Sequence, residues 1–71
     1  MRYYFDYNDG RRIADNRGAD CRTLEDARKF ADKLAEQHAR GKDLEAIKND
    51  YIVVIDEAGV EVYRARLNRG E

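Results

Sequence analysis

Apolar and polar residues alternate with a period of two from Tyr3 to Tyr7, so Tyr3, Phe5 and Tyr7 share one face while Arg2, Tyr4 and Asp6 share the other. This alternation and its aromatic content predict a strand, closed by the turn signal Asn8-Asp9-Gly10. Arg11 to Ala14 reads as a short partner strand with Ile13 as its apolar residue. A second turn follows at Asp15-Asn16-Arg17-Gly18, with Gly18 suited to positive φ. The period then changes. Ala27, Phe30, Ala31, Leu34 and His38 form one helical stripe, with Leu24 at its start. Thr23 is placed as N-cap, Glu25 and Asp26 put negative charge in the first turn, and Gly41 is the natural C-terminal stop. A helix from Thr23 to Arg40 would be roughly 27 Å long. Beyond it, Lys42 to Asp50 is polar apart from Leu44, Ala46 and Ile47, and fits either one extra helical turn or a loop pinned by Leu44 and Ile47. Tyr51 to Ile55 is a strand, Asp56-Glu57-Ala58-Gly59 a tight hairpin turn, and Val60 to Leu67 the returning strand. Asn68 to Glu71 is expected to fray.

The order strand, strand, helix, strand, strand predicts an α+β domain. A small antiparallel sheet would carry one long amphipathic helix across one face. Its core would comprise Tyr3, Phe5, Tyr7, Ala27, Phe30, Ala31, Leu34, Ile52, Val54, Tyr63, Ala65 and Leu67. With 71 residues the chain has room for a single domain, residues 1–71. At this size an unfolded chain buries only about 60% of its surface on folding, so disulfides, a metal or a partner chain often add stability. Cys21 is alone, and one thiol with one histidine, His38, is too few for a structural zinc site. A well-packed monomer or an oligomer remains.

Several residues taken together resemble a family of short bacterial proteins known only as a domain of unknown function. They are Arg2-Tyr3-Tyr4-Phe5-Asp6 with Asp9-Gly10, Asp15 and Gly18, Leu24-Glu25 with Ala27-Arg28, and Asp56-Glu57-Ala58-Gly59. The resemblance covers nearly the whole chain and supports the fold. It implies no activity. Arg40 to Asp50 departs from the pattern, and Cys21 stands where an aliphatic residue is usual, which favours a packing role.

Charge narrows the partners. Fourteen Lys and Arg nearly cancel 15 Asp and Glu, for a net charge of −1, which gives no global attraction to nucleic acid or anionic lipid. The longest apolar run, Tyr51 to Ile55, is far too short to span a bilayer. The opening residues lack a signal-length apolar stretch, so a cytoplasmic location is expected. No catalytic, cofactor-binding or metal-binding residue stands out: the chain contains no serine. Cys21 and His38 read more simply as packing residues, and Asp6, Asp9, Asp15 and Asp20 fit no calcium-loop spacing.

The informative feature is the face of the sheet away from the helix. Pleating would gather Tyr4, Val53, Ile55 and Val62 there, rimmed by Arg2, Arg64 and Arg66. Left exposed by a single helix, that patch has the anatomy of a protein interface. The expected role is therefore a non-catalytic interaction or regulatory domain that self-associates through its sheet. The alternative is a single-stranded nucleic-acid binder, with Tyr4 stacking a base and Arg2, Arg64, Arg66 and Arg69 following phosphates.

Overall fold

The computed structural model describes residues 1–68. Five strands and one helix follow in the order β1 (Arg2–Asn8), β2 (Arg12–Ile13), β3 (Ala19–Asp20), α1 (Leu24–Ala39), β4 (Tyr51–Ile55) and β5 (Glu61–Arg66). All pairings are antiparallel, in the order β2-β1-β4-β5, with β3 pairing β1 as well. The two short strands share one edge of β1: β2 takes its Tyr7–Asn8 end and β3 its Arg2–Tyr3 end. This is the α+β fold expected, with β3 as an unforeseen strand. Two residues are too few to carry a period-two signal of their own. Residues 69–71, including Arg69 and most of the expected frayed end, lie outside the described residues.

The helix begins as its sequence dictates. Thr23 is the N-cap, and its Oγ1 accepts the Asp26 N–H at 3.1 Å, satisfying one donor that the first turn would otherwise leave bare. What it buries differs from the expected stripe. Ala27, Ala31 and Ala35 are the buried helical residues, whereas Phe30 is 41% exposed. Alanines at i, i+4 and i+8 let the backbone of α1 settle directly over β4 and β5. Larger side chains beside that line are pushed to the flank. Leu34 and Tyr63 are half-buried, as is Tyr7, whose ring stacks on His38 at 4.7 Å.

Ile52 and Val54 are almost completely buried beneath the helix, joined by Tyr3, Phe5, Ala65 and Leu67 as expected. Ile47 is an addition to the core. Residues 43–50 form successive tight turns with i to i+3 bonds from Ala46, Ile47, Lys48 and Asp50, which drop Ile47 onto the core while Leu44 stays exposed. One pinning side chain, not two, holds this segment. The β4–β5 hairpin closes on Gly59, at φ 85°, and Asp56 Oδ1 accepts the N–H groups of Ala58 and Val60, both at 2.9 Å.

Candidate functional site

The face away from the helix is less bare than its sequence suggested. Val53, expected at the centre of an exposed patch, is 1% exposed. Its cross-strand neighbours are Asp6 on β1 and Arg64 on β5, and both are tied down over it. Asp6 is buried, and its Oδ2 accepts the Arg12 Nε–H at 3.0 Å. Arg64 forks onto Glu61 at 3.1 and 3.2 Å and lies over the Tyr51 ring, 4.2 Å from its centroid. Glu61 and Tyr51 raise the affinity of Arg64 for its proton further, so it stays charged.

Tyr4 and Ile55 are half-buried partners across β1 and β4. Val62 leaves the set. A register shift pairs Val54 with Tyr63 but Ile55 with Glu61, and Val62 packs against the helix-side core. The arginines expected at the rim are engaged within the chain. Arg2 Nη1 donates to Arg17 O at 2.7 Å and Nη2 lies 3.5 Å from Asp20 Oδ2. Arg66 Nη2 donates to Lys48 O at 3.5 Å. The structure thus brings Tyr4, Val53 and Ile55 together, but with Val53 beneath the polar side chains of Asp6 and Arg64.

A second surface lies at the other edge of β1 and begins with Asp15. The Phe5 N–H points away from β4, and by the period of two so do those of Tyr3 and Tyr7. Tyr3 is paired with Ala19 of β3, and Tyr7 with Ile13 of β2. Phe5, midway, has no strand opposite, and its N–H donates to Asp15 Oδ2 at 3.1 Å. Asp15 Oδ1 accepts from Arg17 and Gly18 N–H at 3.0 and 3.1 Å, and Asp15 N–H donates to Asp6 Oδ1 at 2.9 Å. A carboxylate stands where a strand would. Burial pushes the Asp15 carboxyl up, but the N–H groups of Gly18, Phe5 and Arg17, with the Arg17 charge, more than offset this and hold it below its ordinary value. Gly18 completes the device. At φ 71° a Cβ would lie 2.8 Å from Tyr3 O, so the segment can approach β1 this closely only without one.

Because α1 lies over β4 and β5, the helix-side face of β1 is left partly open. An apolar cleft of about 480 Å³ results. Phe5, Tyr7 and Ile52 contribute to it from the sheet; Phe30, Leu34 and His38 line it from the helix; Ile13, Ala14, Asp15, Arg17, Gly18 and Ala19 line it from the edge. The Phe5 and Phe30 rings meet edge-on at 4.8 Å and 82°. Phe30 and Ile13 remain 41% and 54% exposed, so large apolar side chains in this cleft still face water. This surface was not anticipated from sequence. The signal available was the alanine spacing at residues 27, 31 and 35, which turns Phe30 away from the helix contact line.

Other candidate groups have local roles. Cys21 is half-buried and its N–H donates to Met1 O at 2.8 Å. Burial and then the charge of Asp26 push its thiol up, away from the reactive thiolate. Tyr7 Oη donates to Asp50 Oδ2 at 3.1 Å, and burial followed by that bond raises its phenol. No helix among the described residues is long and apolar enough to cross a membrane.

No curated protein and no solved structure matches the chain. A family model does: Domain of unknown function (DUF6894), over residues 2–68, from the first residue of β1 to just past β5. The match takes in Asp15, Gly18 and both walls of the cleft, and on that span the chain belongs to the DUF6894 family.

Proposed function

We propose that the protein is a non-catalytic interaction domain and that it seats part of another polypeptide, a second copy included, in the cleft between α1 and the β1 edge. The observation that carries this is the exposure of Phe30 and Ile13 on either side of an apolar cleft, in a domain with little apolar surface to spare. An aromatic side chain kept half in water beside a hydrophobic hollow resembles the centre of a binding patch. The opposite face is a weaker candidate, since Val53 is already covered. It also suits single-stranded nucleic acid poorly, because Arg2, Arg64 and Arg66 are bonded within the chain and Asp20 and Glu61 sit among them.

Self-association is tested by recording amide NMR shifts and light-scattering mass from about 10 μM to 1 mM. Shifts confined to Ile13, Gly18, Phe30 and Leu34, and abolished in Phe30→Ser, are the expected outcome for a second copy in the cleft. Shifts centred on Tyr4 and Ile55 would return the contact surface to the face of the sheet away from the helix. No dependence on concentration would remove a second copy as the occupant.

A further inference from the structure

β5 ends the sheet on the side away from β1, and its outer backbone is open. The Leu67 N–H reaches inward to Asp50 O, so by the period of two Ala65 and Tyr63 also face β4. Arg64 and Arg66 then turn their N–H and C=O groups outward, where no backbone group of the described residues meets them. Each can exchange a pair of hydrogen bonds with a residue opposite it on one more antiparallel strand.

Charge along this edge does not cancel. Arg64 is matched by Glu61, and Lys48 by Glu45 at 2.9 Å. Arg66 has no carboxylate partner among the described residues: its side chain's one hydrogen bond is to Lys48 O at 3.5 Å, the long limit for such a bond. The Asp50 carboxylate is spent on Tyr7 Oη instead. Tyr51 lies directly across from Arg66, and Asn49, Tyr51, Arg64 and Arg66 line a hollow of about 370 Å³ that holds side-chain donors and no carboxylate. On an added strand, the side chains opposite Arg64 and Arg66 would stand on the same face as these two, beside that hollow. A second β5 would bring arginine there, which makes another copy a poor occupant.

From this we infer that the outer edge of β5 receives an extended strand of a different protein, added antiparallel, with an acidic side chain opposite Arg66. Backbone pairing supplies the attachment, and the carboxylate at Arg66 sets the register. β4 lies between this edge and the strand that floors the cleft, so the two surfaces are occupied independently.

The test titrates the isotopically labelled full chain with blocked hexapeptides at low and at physiological salt. They are Thr-Glu-Val-Glu-Val-Thr, its Gln and Lys counterparts, and the Glu peptide N-methylated at both Glu. Concentrations reach about 5 mM, where a Kd of about 1 mM still gives near-saturation. The Glu peptide is expected to shift the amides of Arg64 and Arg66, to slow their hydrogen exchange, and to bind about two- to fivefold tighter than the Gln peptide, an advantage that shrinks with salt. N-methylation, which removes the donors that face β5, should weaken it about tenfold or more. Arg66→Glu, a change at an exposed side chain, should reverse the order of the Glu and Lys peptides. Equal binding of the Glu and Gln peptides at β5 would overturn the acidic partner. Undiminished binding of the N-methylated peptide would overturn strand addition and leave only attraction between charges. Absence of shifts along β5 with every peptide, or shifts confined to Gly18, Phe30 and Leu34, would overturn the edge as a docking surface.

Discussion

The two edges of the sheet solve the same problem by different means. Along β1 the outward N–H groups are capped one after another, by β3, by the Asp15 carboxylate and by β2. Along β5 none of the described residues forms a strand over the outer edge. Leu67 N–H bonds to Asp50 O, so Ala65 and Tyr63 turn their backbone toward β4, and Arg64 and Arg66 turn theirs outward. Those two positions carry charged, exposed side chains. A second β5 aligned antiparallel would face arginine with arginine, which disfavours edge-to-edge pairing. The first edge is thus closed by satisfying its hydrogen bonds and the second by making its partner unwelcome. Closing an edge with side-chain chemistry leaves a surface beside it, and the cleft lies there; guarding an edge with charge leaves only a strand.

The contrast can be broken most sharply at Gly18. Alanine there would meet both the positive φ and the Tyr3 carbonyl, and is expected to cost about 3 kcal/mol in chemical denaturation. A loss under about 0.5 kcal/mol would mean that the segment does not pack on β1 as described. Next comes Asp15→Asn, which sets an amide where three N–H groups need acceptors and should cost about 2 kcal/mol at neutral pH. Its pH dependence has a definite sign. The carboxyl is held below its ordinary 3.8 in the folded protein, so its contribution is fully present above that value and lost as pH falls through the lower, folded one. The gap between wild type and Asp15→Asn should therefore be flat from neutral pH down to the ordinary carboxyl range and narrow below it. A gap that widened on acidification would contradict the assignment.

The smallest effect on folding is expected at the other edge. Arg64→Val with Arg66→Val should leave the denaturation midpoint nearly unchanged, since both arginines are exposed. Sedimentation should nonetheless reveal concentration-dependent association that wild type lacks at that edge. An unchanged sedimentation profile would show that charge is not what guards β5.

Much of this architecture is written locally. Tyr3 to Tyr7 alternates, Thr23 caps, Asp56 and Gly59 close a hairpin, and each works within a few residues of chain, so each could be read from sequence. The strap on β1 could not. Asp15 was legible as a turn residue, but the bond that gives it its role reaches ten residues back to Phe5 N–H. Val53 was legible as apolar and central, but its burial depends on Asp6 and Arg64 arriving from two other strands. The helix is legible from its cap and its periodicity, and its buried face nearly so. Size misled there: Phe30 and Leu34 outweigh Ala35 on any scale of hydrophobicity, yet the close approach needs the smallest side chains, and the cleft followed from that substitution of roles.

The alanine line of α1 has a reach beyond its own contact. Three methyl groups act as the spacer between helix and sheet, and the spacer sets how far Phe30 and Leu34 stand above the floor of β1. None of the three lines the cleft, but a bulkier residue at Ala31 would raise the whole rod and part its walls. The bore of the cleft is therefore gauged from a place that no visitor touches.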